Sequence, residues 1–240
     1  VIIERPDITI NLEGAGENIT VSLDEDPLAP KAHLLVSELM VLTNAALAAW
    51  AKEHGIALLH RTQDVAIPKE FSGIWQTPLE IARVVKALAP AVLETNPRPH
   101  AGLGEAMYAP STSPLRRYPD MINETQIISL LRDGKPRWSK EELDTLLPLL
   151  NAHLDAAGQV QRFRPRYWKL LYFKQQGDRW WPAVITDEND AFVTVNMPKE
   201  QMIVRARRQF FGERAHPACQ KMCISNSRHL KIICLRKISD

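Results

Sequence analysis

The chain has 240 residues, 45% of them hydrophobic and 24% charged, with a net charge of only +2; this balance excludes a disordered polypeptide and provides enough apolar side chains for a sizeable core. No apolar run approaches the ~18 residues that span a membrane, and the start, Val1-Ile2-Ile3-Glu4-Arg5, has neither signal-peptide nor transit-peptide character. The three cysteines all lie after residue 218 and make no disulfide framework, so a reducing, cytoplasmic setting is expected.

Residues 1–23 alternate polar and apolar around Gly14-Ala15-Gly16-Glu17-Asn18, the pattern of a β-hairpin. With no initiating methionine, the chain is expected to be a fragment or to be processed from a longer one. After the breaker DEDPLAP, the apolar residues Leu35, Leu39, Leu42, Ala46, Ala49 and Trp50 recur at helical spacing. They predict a helix from Lys31 to His54, stopped by Gly55. IALLHRTQ reads as a short strand, and Thr77-Pro78-Leu79-Glu80 as a capping box opening a helix to about Leu93.

An irregular loop, TNPRPHAGLG, leads to a second helix that Ser113-Pro114 is expected to open, with the serine as N-cap and the proline at the first helical position. That helix runs to Arg132, before Gly134. Pro119 then falls inside it, where it removes a backbone donor and predicts a kink. Ser139-Lys140-Glu141-Glu142 is another capping box, heading a helical tract to about Gln176 with interruptions near Pro148, Gly158 and Pro165. After Gly177 the texture changes to three short strands, as in a small β-barrel, and a domain boundary is placed near residue 176. Residues 161–240 hold sixteen Lys and Arg against seven Asp and Glu, whereas residues 1–160 hold fourteen against twenty-one. A basic C-terminal third suits a polyanion partner or a solvated basic surface equally well.

Arg116 and Arg117 fall where a helix N-terminus is already positive and cations are disfavoured. On a helix starting at Pro114, Arg116, Asp120 and Asn123 share one face, so Asp120 is expected to hold the Arg116 guanidinium. Ser113, Thr112 and the free first-turn amides would converge there on an anion, with phosphate the usual tenant. The alternative is an exposed Arg–Asp pair that contributes little.

Gly104, Tyr108, Thr112-Ser113-Pro114-Leu115-Arg116-Arg117-Tyr118 and Asp120, followed by Met121-Ile122-Asn123, resemble the signature of the RNB family, the RNase II and RNase R type of exoribonuclease. Glu38, Met40 and Asn44 resemble a helix motif of the same family, and PHAGLGEAMYA is similar too. The resemblance implies an α+β chain: residues 1–176 as the helix-rich C-terminal part of an RNB catalytic domain, and 177–240 as a small, partial OB-type RNA-binding barrel with an irregular tail.

It also implies that single-stranded RNA is hydrolysed processively from its 3′ end to nucleoside 5′-monophosphates by magnesium-activated water. In that reading Arg116 is catalytic and meets the scissile phosphate. Glu38, Asn44, Tyr108, Thr112, Ser113, Arg117, Tyr118 and Asp120 bind substrate, with Glu38 placed to bond ribose hydroxyls. The family's magnesium ligands are aspartates upstream of these motifs and are not among these 240 residues. Asp24-Glu25-Asp26, Asp187-Glu188-Asn189-Asp190 and Glu141-Glu142 read as turn or capping residues. The expected partners are therefore RNA and the remaining N-terminal part of the same protein, with neither DNA nor a membrane. A non-catalytic RNA-binding protein and a structural subunit are the alternatives.

Three later features complete the reading. Arg162, Arg166 and Lys169, interleaved with Tyr167, Trp168 and Tyr172, either line an RNA path or form a basic face over core aromatics, the second being favoured for Trp168. Of Trp180 and Trp181, one is expected in the core and one outside. His216, Cys219, Cys223, His229 and Cys234 lack the spacing of a common zinc site, and the tail beyond Arg208 is not expected to continue a barrel.

Overall fold

The protein is described by a computed structural model covering residues 2–3, 5–27, 29–65, 68–177, 179–208, 221–225 and 231–235. It divides into two compact units. The first comprises Val1–Ile2, Ala29–Ile74 and Val84–Ala157; the second comprises Ile3–Leu28, Trp75–Arg83 and Gly158–Asp240.

After a two-residue strand β1 (Ile2–Ile3), the expected hairpin forms from β2 (Ile8–Glu13) and β3 (Thr20–Glu25), in register from Ile8↔Glu25 to Glu13↔Thr20. Gly14 makes the turn possible. Its φ is +95°, and a Cβ there would lie 2.4 Å from the Asn18 carbonyl oxygen. The hairpin belongs to the second unit because its backbone is captured by a helix end: Gln175 Oε1 accepts from Val21 N–H at 3.0 Å, and Gln175 Nε2 donates to Ile19 O at 2.6 Å.

Helix α1 (Pro30–Glu53) matches the predicted helix, but its leucine row is not the buried face. Leu35, Leu39 and Leu42 are more than half exposed, whereas Asn44, Ala48 and Ala51 are fully covered. Residues 42 and 44 lie ~200° apart around a helix, so a core contact through the small residues turns the leucines outward. Ala48 and Ala51 pack with Ile56, Leu58, Ala109 and Ile127. α1 is also long and apolar enough to cross a membrane by length and composition alone, which corrects the reading that no segment meets that test.

The strand expected over 56–63 contracts to β4 (His60–Thr62), followed by β5 (Ile74–Trp75). The helix opened by Thr77 is α2 (Pro78–Ala87), with Glu80 N–H donating to Thr77 Oγ1 at 3.4 Å. It ends six residues short of Leu93, because Pro90 cannot continue it. The chain then forms β6 (Val92–Glu94), which pairs antiparallel with β4.

Helix α3 spans Tyr118–Asp133 and α4 spans Lys140–Gln175. The Ser139 capping box forms as expected: Glu142 N–H donates to Ser139 Oγ at 3.2 Å, and Glu142 Oε2 accepts from Ser139 N–H at 2.7 Å. α4 runs without a break through Pro148, Gly158 and Pro165, contrary to expectation. A lost helical bond at a proline is tolerable where packing holds the helix, and Leu143 and Leu150 are buried with Leu59 and Ile122 in the first unit's second core cluster.

The C-terminal strands are β7 (Arg179–Pro182), β8 (Val184–Glu188), β9 (Phe192–Met197), β10 (Met202–Arg207), β11 (Lys221–Ser225) and β12 (Lys231–Leu235). They make two antiparallel sheets, ordered β8-β9-β10 and β7-β11-β12. The tail beyond Arg208 thus adds two strands that were not foreseen. Period-2 alternation buries Val193, Val195 and Met197 on Phe173 and Trp181. Trp181 is the core tryptophan; the side chain of Trp180 lies outside the described residues, as do His216, Cys219 and His229. Overall the chain is α+β, as expected.

Candidate functional site

The site is built in the first unit, and it starts from a helix that begins late. Ser113 and Pro114 head only a single turn, in which Ser113 O accepts from the N–H of Arg116 at 3.2 Å and of Arg117 at 3.0 Å. Arg117 is then extended (φ −128°, ψ 112°) and is the N-cap of α3, so Pro119 sits at the helix start. A proline is destabilising inside a helix and suited to its first turn, and the expected kink is replaced by this new beginning.

That shift reassigns the pairing. Asp120 does not hold Arg116. Its Oδ2 accepts from Arg117 Nη2 at 2.7 Å and from the Ser113 amide at 2.9 Å, and Asp120 is only 1% exposed. Arg117 also reaches Thr112 Oγ1 at 3.3 Å. Arg116 is exposed, and its one described side-chain contact is a long one, 3.4 Å to Ser113 Oγ. The two arginines are therefore unlike: Arg117 is tied down and Arg116 is free. Leu115 and Tyr118 are exposed beside them. Of the groups expected to converge on an anion, the Arg116 amide is bound to Ser113 O and Thr112 Oγ1 accepts from Arg117 and Asn44, while the Ser113 amide is bound to Asp120; the group described beside the Arg116 guanidinium is the Ser113 hydroxyl.

Asn44 anchors the other side of this loop to α1. It is fully buried. Its Nδ2 donates to Tyr108 Oη at 2.8 Å and, at 3.4 Å, to Thr112 Oγ1, while its Oδ1 accepts from the Ser111 amide at 2.9 Å. Tyr108 is 9% exposed and packs edge-on against His100. Neither Asn44 nor Tyr108 offers the surface that substrate contact requires; both hold the loop that carries Ser113 and Arg116. Glu38, nearly two turns before Asn44 on α1, is exposed.

Sequence reasoning missed two buried carboxamides that set α3. Asn123 Oδ1 accepts from Leu59 N–H at 2.8 Å, and its Nδ2 donates to Leu59 O at 2.9 Å and Pro110 O at 2.8 Å. Gln126 does the same for Ala57 O and for both backbone groups of Trp138. They act as short strand partners for the 57–59 segment, a role that no helical periodicity reveals. Also unforeseen is His60, 5% exposed, whose pKa burial lowers to about 4 against the opposing pull of Glu94. Beside it Glu94 binds Thr62 and Arg98, and Arg98 bridges to Asp64.

Arg166 Nη1 donates to Ile203 O in β10 and Lys169 Nζ to Gln201 O just before it, each at 3.1 Å, within the second unit, while Arg162 and Arg166 are exposed. Trp168 is half-buried and Tyr167 exposed. Among the described residues no group of three or more His, Cys, Asp or Glu is placed to hold a metal ion. Asp24 and Asp26 accept from Asn11 and Thr9 across the hairpin, and Glu188 pairs with Arg208. These residues do not fit a magnesium centre.

Known proteins resemble the chain over most of its length. It is 27% identical over 188 residues to an uncharacterised ribonuclease of Synechocystis, covering 77% of this chain and 28% of that protein. It is 27% identical over 183 residues to the mitochondrial exoribonuclease II of Saccharomyces cerevisiae, covering 70% and 19%. The chain thus spans less than a third of either relative. Among solved structures, the Dss1 exoribonuclease of Candida glabrata superposes with a TM-score of 0.75 at 22% identity over 94% of this chain and 31% of that one. RNase R of Mycoplasma genitalium, in complex with ribose-methylated single-stranded RNA, gives 0.65 at 16% identity over 99% and 42%. Yeast Ssd1, described as a pseudonuclease, gives 0.61 at 16% over 81% and 28%. The RNB domain matches residues 2–133; with that match over more than half its length, this chain belongs to the RNB-domain exoribonuclease family.

Proposed function

We propose that this chain is the RNA-channel and phosphate-clamp portion of a 3′-to-5′ exoribonuclease that degrades single-stranded RNA processively to nucleoside 5′-monophosphates. The observation that carries the reading is the contrast between the two arginines: Arg116 stands exposed and uncommitted on a turn that is locked from behind by Asp120 and Asn44. A guanidinium held ready for an anion stabilises charge that grows on phosphoryl oxygens in the transition state more than it stabilises the ground state. Ser113, Thr112 and Tyr118 would line the same phosphate, and Glu38 would accept ribose hydroxyls, which distinguish RNA from DNA.

Magnesium would supply the activated water. No group of metal ligands lies among the described residues, and in this proposal they come from a further part of the complete enzyme. The exposed row Leu35, Leu39 and Leu42 supports a covering partner, for which we propose the remaining part of the same catalytic domain. We assign the protein to the cytoplasm, on its lack of a disulfide framework, and assign it no membrane or DNA partner.

A second reading, an RNA-binding protein without catalysis, is favoured by the resemblance to a pseudonuclease. Incubating the purified 240-residue protein with labelled RNA and magnesium tests both: RNA bound but intact is expected of the isolated chain. Release of nucleoside monophosphates would mean that it holds its own metal site. Failure to bind RNA would remove the clamp from both readings.

A further inference from the structure

We infer that Arg117 is a positioning residue, and that with Asp120 it forms a part-buried strut leaving Arg116 as the only cation of the Ser113–Arg117 turn available to a phosphate. The inference rests on the reading of that turn as a phosphate clamp and changes its charge. Two adjacent arginines suggest a doubly charged grip. The structure neutralises one of them: Arg117 Nη2 lies 2.7 Å from Asp120 Oδ2, with Asp120 1% exposed and the Arg117 side chain 32% exposed.

The strut is built to set geometry. Asp120 Oδ2 takes both the Arg117 guanidinium and the Ser113 amide, so one carboxylate oxygen joins the first residue of the turn to the last. Arg117 adds the Thr112 hydroxyl, which also receives Asn44 from α1. The path Tyr108–Asn44–Thr112–Arg117–Asp120–Ser113 is therefore continuous across the loop. Arg117 Nε and Asp120 Oδ1 are buried and without a hydrogen-bond partner among the described residues. A pair in this setting is costly to break from one side, because the partner is left as an uncompensated buried charge. Arg116 has no such entanglement, and its removal leaves the turn in place.

The two roles differ in what salt does. A cation that meets a phosphate of single-stranded RNA contributes about 0.7 to the slope of log affinity against log salt, and one neutralised by a carboxylate contributes nothing. The test measures that slope for a short RNA oligonucleotide bound to the 240-residue protein, together with hydrogen exchange at the Ser113 amide. Arg116→Gln should reduce the slope by about 0.7 and leave Ser113 protected. Arg117→Gln should speed Ser113 exchange at least tenfold, since Asp120 loses its counter-charge. The double variant Arg117→Gln/Asp120→Asn, uncharged and still able to accept from Ser113, should restore protection and keep the wild-type slope. A slope reduced by about 0.7 in the double variant would make Arg117 a phosphate contact and overturn the inference. If the wild-type protein binds no RNA, the clamp reading fails, but the exchange data still decide the strut: equal Ser113 protection in all variants refutes it.

Discussion

Asn123→Ala removes a side chain that makes three buried hydrogen bonds to backbone, at 2.8, 2.9 and 2.8 Å. Asn123 is fully buried and Leu59 is 1% exposed, so water does not replace the lost partner. The orphaned Leu59 N–H costs ~1–3 kcal/mol and each abandoned carbonyl somewhat less, for a total of about 3–4 kcal/mol. Asn123→Asp sharpens the test. Its carboxylate still accepts from Leu59 N–H but turns a second oxygen toward the carbonyls of Leu59 and Pro110. At pH 7 it should therefore destabilise at least as much as alanine, and it should recover part of the loss on acidification, when a protonated carboxyl donates one bond. Urea unfolding of the purified protein and both variants gives the free energies. A loss below 1 kcal/mol for alanine, or an aspartate variant milder than alanine at pH 7, would refute the view that Asn123 acts as a strand partner for the 57–59 segment.

Two further outcomes are expected. His60 binds its proton only near pH 4 when folded and near 6.5 when unfolded. Stability should be full above about pH 6.5 and fall as pH drops toward 4, by ~3 kcal/mol, because the unfolded state takes up the proton first; His60→Gln should flatten that part of the pH–stability curve, and an unchanged curve would argue against it. In a complete enzyme containing this segment, Arg116→Ala should lower the single-turnover cleavage rate on the order of 10²–10³-fold with a smaller effect on affinity, and Arg116→Lys should rescue only part; reduced affinity with an unchanged rate would make Arg116 a binding contact only.

Local signals were legible where local chemistry decides the outcome. The hairpin around Gly14 and the capping boxes at Ser139 and Thr77 formed as their residues predict. The motif from Gly104 to Asp120 was readable as a family signature, and the RNB match over residues 2–133 agrees with it. Its internal wiring was not readable. Ser113-Pro114 carries every mark of a helix start, but Pro119 suits a first turn better than a helix interior, and that competition moves the start to Tyr118 and exchanges Arg116 for Arg117 as the partner of Asp120. Asn44, Asn123 and Gln126 look like ordinary polar residues on helices, and their roles appear only when distant backbone is brought beside them. The leucine row of α1 misled for the opposite reason. Its periodicity is that of a core face, yet the described residues leave it uncovered.

Arg116, exposed on its turn, is proposed to meet an RNA phosphate. Equilibrium binding of single-stranded RNA to the 240-residue protein across a salt series, with and without Arg116→Ala, tests it directly. Binding should weaken steeply with salt, with a slope smaller by about 0.7 in the variant. Binding insensitive to salt, or a slope that Arg116→Ala leaves unchanged, would contradict it.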